Sequence, residues 1–139
     1  MIVLDTNVLS ALMQRTPEQP VIEWLDQQPW TSVWTTSITI LEIRFGLQTL
    51  PLGKRRSYLI DAFERVILQK LGQRVAAFDQ AAADEAAVVM ANRKKKGRPG
   101  DLRDTMIAGI VLAHGATLAT RNGQHFADLT LNIVNPWTA

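Results

Sequence analysis

Two kinds of pattern alternate along this chain: short runs of aliphatic and β-branched residues, and longer stretches where apolar positions recur every three to four residues. Met1 to Leu4 is an unbroken apolar run ending at Asp5, which predicts a buried strand. Thr6 to Gln14 places Val8, Leu9, Leu12 and Met13 at helical spacing. Pro17 and Pro20 punctuate the way to a short second helix around Val21 to Gln27, which Pro29 closes. Ser32 to Thr36, rich in β-branched and aromatic residues, reads as a second strand. Thr39 to Leu50 reads as a helix, broken by Pro51 and Gly53. Lys54 to Leu71 predicts a longer amphipathic helix ended by Gly72, and Arg74 to Phe78 a third strand. Asp79 caps an alanine-rich helix running to about Lys96, and Gly97, Pro99 and Gly100 mark a loop. Leu102 to His114 reads as a helix with Gly115 as its C-terminal cap, followed by strands at Thr117 to Thr120 and Leu131 to Val134.

Strands and helices alternate, so the fold class is α/β: a three-layer α/β/α domain with a central, mostly parallel sheet of four to five strands. The 139 residues fit one domain over 1–139, without repeats or low-complexity linkers. In such sheets a site lies beyond the carboxyl ends of the strands. The residues that follow each strand are therefore the ones to inspect.

Composition narrows the chemistry. Hydrophobic residues make up 47% of the chain, enough for a true core, while a net charge of +2 provides no global basic field. Any nucleic-acid site must arise from local clustering. With no cysteine, disulfides, thiolate metal sites and cysteine nucleophiles are excluded, and a reducing compartment is expected. The apolar runs fall short of a membrane span, and Asp5 interrupts the N-terminal run too early for a signal peptide. A cytoplasmic protein is the expectation.

Asp5 follows the first strand, Glu42 lies in the helix after the second, and Asp104 lies in the first turn of the helix before the fourth. If the ends of those strands are neighbours, three carboxylates converge. Like charges resist this unless protons or a cation intervene. Hard divalent cations such as Mg²⁺ take carboxylate oxygens, and a metal so held activates water and stabilises phosphoryl charge. Each acid also has a local explanation. Asp5 is a natural N-cap, Glu42 completes a capping-box pattern with Thr39, and Asp104 follows a cap at Asp101, where it favours the helix dipole.

The stretch Ile2-Val3-Leu4-Asp5-Thr6-Asn7-Val8 resembles the opening motif of PIN-domain proteins. Ser37 to Ile43 with Gly46 resembles their second motif; Asp104 to Gly109 resembles the third, and His114 to Asn122 with His125-Phe126 the fourth. The set spans nearly the whole chain. The short length and the Asn135-Pro136-Trp137 ending are most similar to bacterial toxins of the VapC or FitB kind, found in toxin–antitoxin pairs and plasmid-stability loci. The resemblance implies a ribonuclease dependent on Mg²⁺ or Mn²⁺, with Asp5, Glu42 and Asp104 as catalytic metal ligands. It also implies a homodimer and a small antitoxin that blocks the site and binds operator DNA. Many family members carry a fourth acid where this chain has Asn122, which puts a second metal in question. Asp128 or Asp101 are the acids that remain nearby in sequence.

Around the acids, Thr6, Asn7 and Thr120 are candidates for orienting carboxylates or water, with local capping as the other account of Thr6 and Asn7. Arg44 and Arg121 lie within the motifs and are candidate phosphate contacts. Lys94, Lys95, Lys96 and Arg98, with Arg93, form the clearest basic cluster, which either guides RNA or complements a helix end. His114 reads as a helix-end cation, His125 as packing or surface, and Trp24, Trp30, Trp34 and Trp137 mostly as packing. The helices at Val8 to Met13 and Ile40 to Leu47 are expected to offer apolar faces to a partner. Two other readings compete: a degenerate PIN fold kept as a binding module, and an aspartyl-nucleophile phosphatase. The latter usually has a second Asp where Asn7 stands.

Overall fold

The first strand is apolar at every position because it lies mid-sheet with both faces covered. In the computed structural model, which describes residues 1–139, β1 (Ile2–Leu4) pairs in parallel with β2 (Val33–Thr36) on one side and β4 (Thr117–Ala119) on the other. Successive side chains point to opposite faces. Val3 packs with Ile107, Ile110, Val111 and Phe126, whereas Leu4 packs with Val8, Leu9, Leu25 and Phe63. These are two cores, one on each side of the sheet. Adding β3 (Val75–Ala76) and β5 (Asn132–Val134) gives five parallel strands in the order β3-β2-β1-β4-β5.

Helices α1 (Thr6–Met13), α2 (Gln19–Asp26), α3 (Ser37–Thr49) and α4 (Lys54–Arg65) build most of the first core. Helices α5 (Gln80–Lys95) and α6 (Leu102–His114) build most of the second. They pack very closely: a Cβ on Gly109 would lie 2.5 Å from the Ala82 carbonyl oxygen and 2.9 Å from the Ala86 Cβ. Gly115 caps α6 with φ +58°, as its position predicts.

Three expected boundaries shift, each for a physical reason. Helix α3 begins at Ser37 because Thr36 is its cap, its Oγ1 accepting from the Thr39 N–H at 3.1 Å. The capping box Thr39–Glu42 therefore does not form, and the Glu42 side chain is free for another partner. Strand β3 is only two residues long because it is an edge strand matched to Thr35 and Thr36 alone. Beyond it, the Phe78 N–H turns to the Ser37 Oγ at 3.1 Å. The long helix expected from Lys54 to Leu71 is α-helical to Arg65 and then widens into a π-helical turn, Val66–Lys70. On α1, Val8, Leu9 and Met13 face the core and not a partner, and on α3 so do Ile43 and Leu47. The large apolar side chains left exposed on α3 are Leu41 and Phe45. No helix is long and apolar enough to cross a membrane.

Candidate active site

From β1 the chain order runs to β2 on one side and to β4 on the other, so the strand order reverses at β1. The carboxyl edge at such a reversal point opens into a crevice. Asp5 stands at that edge as the N-cap of α1 and is almost wholly buried. Its Oδ1 accepts from the Thr6 N–H at 2.8 Å, and its Oδ2 accepts from the Thr120 hydroxyl at 2.7 Å and the Asn7 amide at 3.5 Å. Asn7 joins the ends of β1 and β4: it donates to Thr120 Oγ1 at 3.3 Å and accepts from the Arg121 N–H at 3.2 Å. Capping and site-building are thus one arrangement at Asp5.

Glu42 projects from the second turn of α3 toward the start of α1. The Thr6 hydroxyl donates to its Oε1 at 2.9 Å and lies 3.1 Å from Thr39 Oγ1. Since Thr6 has one hydroxyl proton, committed to Glu42, Thr39 is the donor in the second contact. Thr36 in turn donates to Thr39 at 3.4 Å. Three threonine hydroxyls thus run in series beneath the carboxylate, two of them fully buried. On its other side, Glu42 Oε2 lies 3.8 Å from Arg103 Nη1.

Asp104 occupies the first turn of α6, which Asp101 caps by accepting from the Arg103 and Asp104 N–H groups at 2.9 and 3.1 Å. Its Oδ2 lies 3.1 Å from His125 Nδ1. The three acids feel one another. Burial pushes the Asp5 carboxyl up from its ordinary value and the Asp104 charge adds to this, against hydrogen bonds from Thr120 and Thr6. Burial likewise raises Glu42, with Asp5 and Asp104 adding to it, while Thr6 and Arg103 oppose.

No three of the Asp, Glu and His side chains close into a ready-made metal cluster. The donor set nonetheless fits a hard divalent cation: all oxygen, partly desolvated, and too negative for its own comfort. Mg²⁺ commonly uses only one or two carboxylates and keeps several waters.

The structure places the remaining candidates unevenly. Thr6, Asn7 and Thr120 hold the carboxylates directly. Asn122 joins through its backbone, its N–H donating to Thr120 Oγ1 at 3.1 Å. Asp128 does not reach in: it pairs with Arg93 Nε and Nη2 at 2.9 and 3.0 Å. Arg93 itself is 4% exposed and also donates to Thr105 Oγ1 and the His125 carbonyl, so it is a buried cross-link and not part of a solvated basic face. Arg44 is turned to α4, bonded to Glu64 at 2.7 Å and lying over the Phe63 ring. The Arg121 guanidinium lies over the Trp137 ring and 3.8 Å from Glu18. Two residues that the sequence did not single out for the site border it: Arg103 at Glu42 and His125 at Asp104. For Arg103 the only signal was adjacency to Asp104. The phosphatase reading loses its second acid, since Asn7 donates its amide to Asp5 and Thr120.

The family model for the PIN domain matches residues 2–130. The VapC ribonuclease Y4jK of Sinorhizobium fredii is 40% identical over 137 residues, 99% of this chain and 98% of that protein. The plasmid stability protein StbB of Pseudomonas syringae pv. tomato is 37% identical, with 100% of both chains covered. Among solved structures, FitAB bound to an IR36 DNA fragment matches with a TM-score of 0.87 at 33% identity, covering 99% of this chain and 96% of that one.

Proposed function

Since the chain belongs to the PIN-domain family, together with VapC- and FitB-type relatives, we propose that it is a metal-dependent endoribonuclease and the toxin of a toxin–antitoxin pair. What supports this reading is that Asp5, Glu42 and Asp104, from three separate segments, lie within electrostatic reach of one another, each bonded to a partner that holds it. Asp5, Glu42 and Asp104 would hold Mg²⁺ or Mn²⁺. Such an ion, when bound, supplies Lewis acidity toward a phosphodiester and makes water acidic enough to attack at neutral pH.

The chain's own residues do the rest. Thr120, Thr6 and the Asn7 amide donate to Asp5 and so favour its charged form, partly offsetting the burial that raises its carboxyl. The threonine series presents Glu42 from below. Arg103, beside Glu42, is the cation best placed to meet a phosphate oxygen, taking the role that its contacts deny to Arg44. His125 steadies Asp104. The partner is a small antitoxin that covers this site and carries the pair to operator DNA, in keeping with a structural relative solved on DNA. The toxin itself is a homodimer: Leu41 and Phe45, one turn apart on α3 and 56% and 64% exposed, are surface that assembly would cover.

The test is cleavage of single-stranded RNA by purified protein with Mg²⁺ or Mn²⁺. Wild type cuts, and chelation stops it. Asp5→Asn and Asp104→Asn lose at least about a hundredfold in rate, the scale of removing a charge-stabilising group from a hydrolytic site. Wild-type rates in Asp5→Asn would overturn the reading.

A further inference from the structure

Two concavities join beside the acid site. One, lined by Asp101, Asp104, His125, Arg93 and Gly100, encloses about 280 Å³. The other, about 380 Å³, shares Arg93, Gly100 and His125 and continues to Lys96, Arg98 and Gln124. Together they form a trough, acidic at the Asp104 end and basic at the other. Lys96 and Arg98 take part in no ion pair, unlike Arg44, Arg103 and Arg121. The one acid at the basic end, Asp128, is committed to Arg93 through both oxygens, although Lys96 also lies within its electrostatic reach.

The basic end is built, not loose. The Arg98 N–H donates to the Arg93 carbonyl at 2.9 Å and the Gly97 N–H to the Lys94 carbonyl at 3.1 Å, the paired bonds of a Schellman cap, with Gly97 at φ +69°. Gly100, also at φ +69°, lets the loop fold back over Arg93, whose Nη1 would lie 2.8 Å from a Cβ there. Those bonds already satisfy carbonyls at the end of α5. Lys94 and Lys95, which line neither concavity, suffice to complement the helix end. Lys96 and Arg98 are left over for something outside the chain.

We infer that Lys96 and Arg98, on the capped turn after α5, form a backbone-phosphate subsite for single-stranded RNA, so that the strand flanking the scissile phosphate runs along the trough past His125 toward the α5–α6 loop. Gln124 and the His125 ring border the same path and offer hydrogen bonds to sugar or phosphate. This rests on the ribonuclease reading for its substrate and adds the direction of the strand.

The test is equilibrium binding of a short, end-labelled single-stranded RNA by fluorescence anisotropy in chelator, across a salt series, with metal-supported cleavage measured separately. Two double variants remove the same charge: Lys96→Ala/Arg98→Ala inside the trough and Lys94→Ala/Lys95→Ala just outside it. Unchanged melting temperatures establish that both are folded. Losing two phosphate contacts flattens the slope of log Kd against log salt by about 1.4 and weakens binding roughly twentyfold near 0.1 M salt. That result is expected for the first variant, with less than about a threefold change for the second. Equal weakening in both would make the effect one of net charge, and no weakening in the first would remove the subsite; either outcome overturns the proposal. RNA binding that depends on Lys96 and Arg98 without any cleavage would keep the subsite and sink the ribonuclease reading. Cleavage with Lys96→Ala/Arg98→Ala binding like wild type would do the reverse, and a wild type that binds no RNA would sink both.

Discussion

The chemistry of this site depends on how its acids are held. Thr6 serves two carboxylates at once, giving its N–H to Asp5 and its hydroxyl to Glu42. Thr6→Val keeps the shape and the N–H but removes the hydroxyl, leaving Glu42 without its donor and Thr39 without its acceptor. Partners of this kind are worth roughly 10–100-fold in metal affinity or activity. Thr6→Val should therefore lose about that much in cleavage rate while remaining folded; an unchanged rate would remove Thr6 from the machinery. Asp5 makes a second prediction, on stability. Its carboxyl is raised by burial, so the folded chain holds that proton more tightly than the unfolded chain does. The metal-free protein thus keeps the associated stability below the ordinary aspartate range and loses it as pH rises through the raised folded value. Asp5→Asn, neutral throughout, should melt higher than wild type at neutral pH, with the gap closing as pH falls. A gap that stayed constant with pH would refute this.

At this scale the places of Asp5, Thr6, Asn7 and Thr120 could be read from short motifs at strand ends, and those of Glu42 and Asp104 from the early turns of helices. Arg103 was not, because its approach to Glu42 depends on how α3 and α6 pack, sixty residues apart in the chain. Arg44 misled for a related reason. Two residues from Glu42 on a helix is about 200° around the axis, which turns it to Glu64. Arg93 looked like one more member of a basic run, and nothing local showed that Asp128 would bury it.

Among the elements, α5 and α6 set the shape of the trough. Their close approach depends on Gly109, where a Cβ would meet backbone at 2.5 Å, and no flexible side chain can yield there. Gly109→Ala should separate the helices and destabilise the protein by about 1–3 kcal/mol, the usual cost of overpacking. Thermal or urea unfolding checks this; a neutral or stabilising effect would mean that the helices part easily. Every α-helix and strand was visible as a pattern, but the short 3-10 turns Trp30–Ser32 and Gly123–Phe126 were not; Gly115 and Asp101 marked the caps of α6 correctly. What the pattern missed were choices between competing local bonds. Thr36 outcompeted Thr39 as the cap of α3, and Ser37 took the Phe78 N–H that would have extended β3.

For the molecule as a whole, a parallel five-stranded sheet whose order reverses at β1 sets Asp5 at the reversal, with Glu42 and Asp104, from two other segments, within electrostatic reach of it. Strand alternation predicted the parallel sheet, but which strands are neighbours is a property of the whole chain, and convergence of the acids followed only once the order was known. The central claim is that these carboxylates jointly hold a divalent ion. Asn122 supplies no charge and Asp128 is bound to Arg93, so the metal-free protein should take up one ion tightly and a second only weakly. Calorimetric titration with Mn²⁺ in the absence of RNA, on wild type, Asp5→Asn, Glu42→Gln and Asp104→Asn, tests this most directly. The account predicts one strong site in the wild type that is lost or at least about tenfold weaker in each variant. Wild-type Mn²⁺ affinity in any two of the three would contradict it.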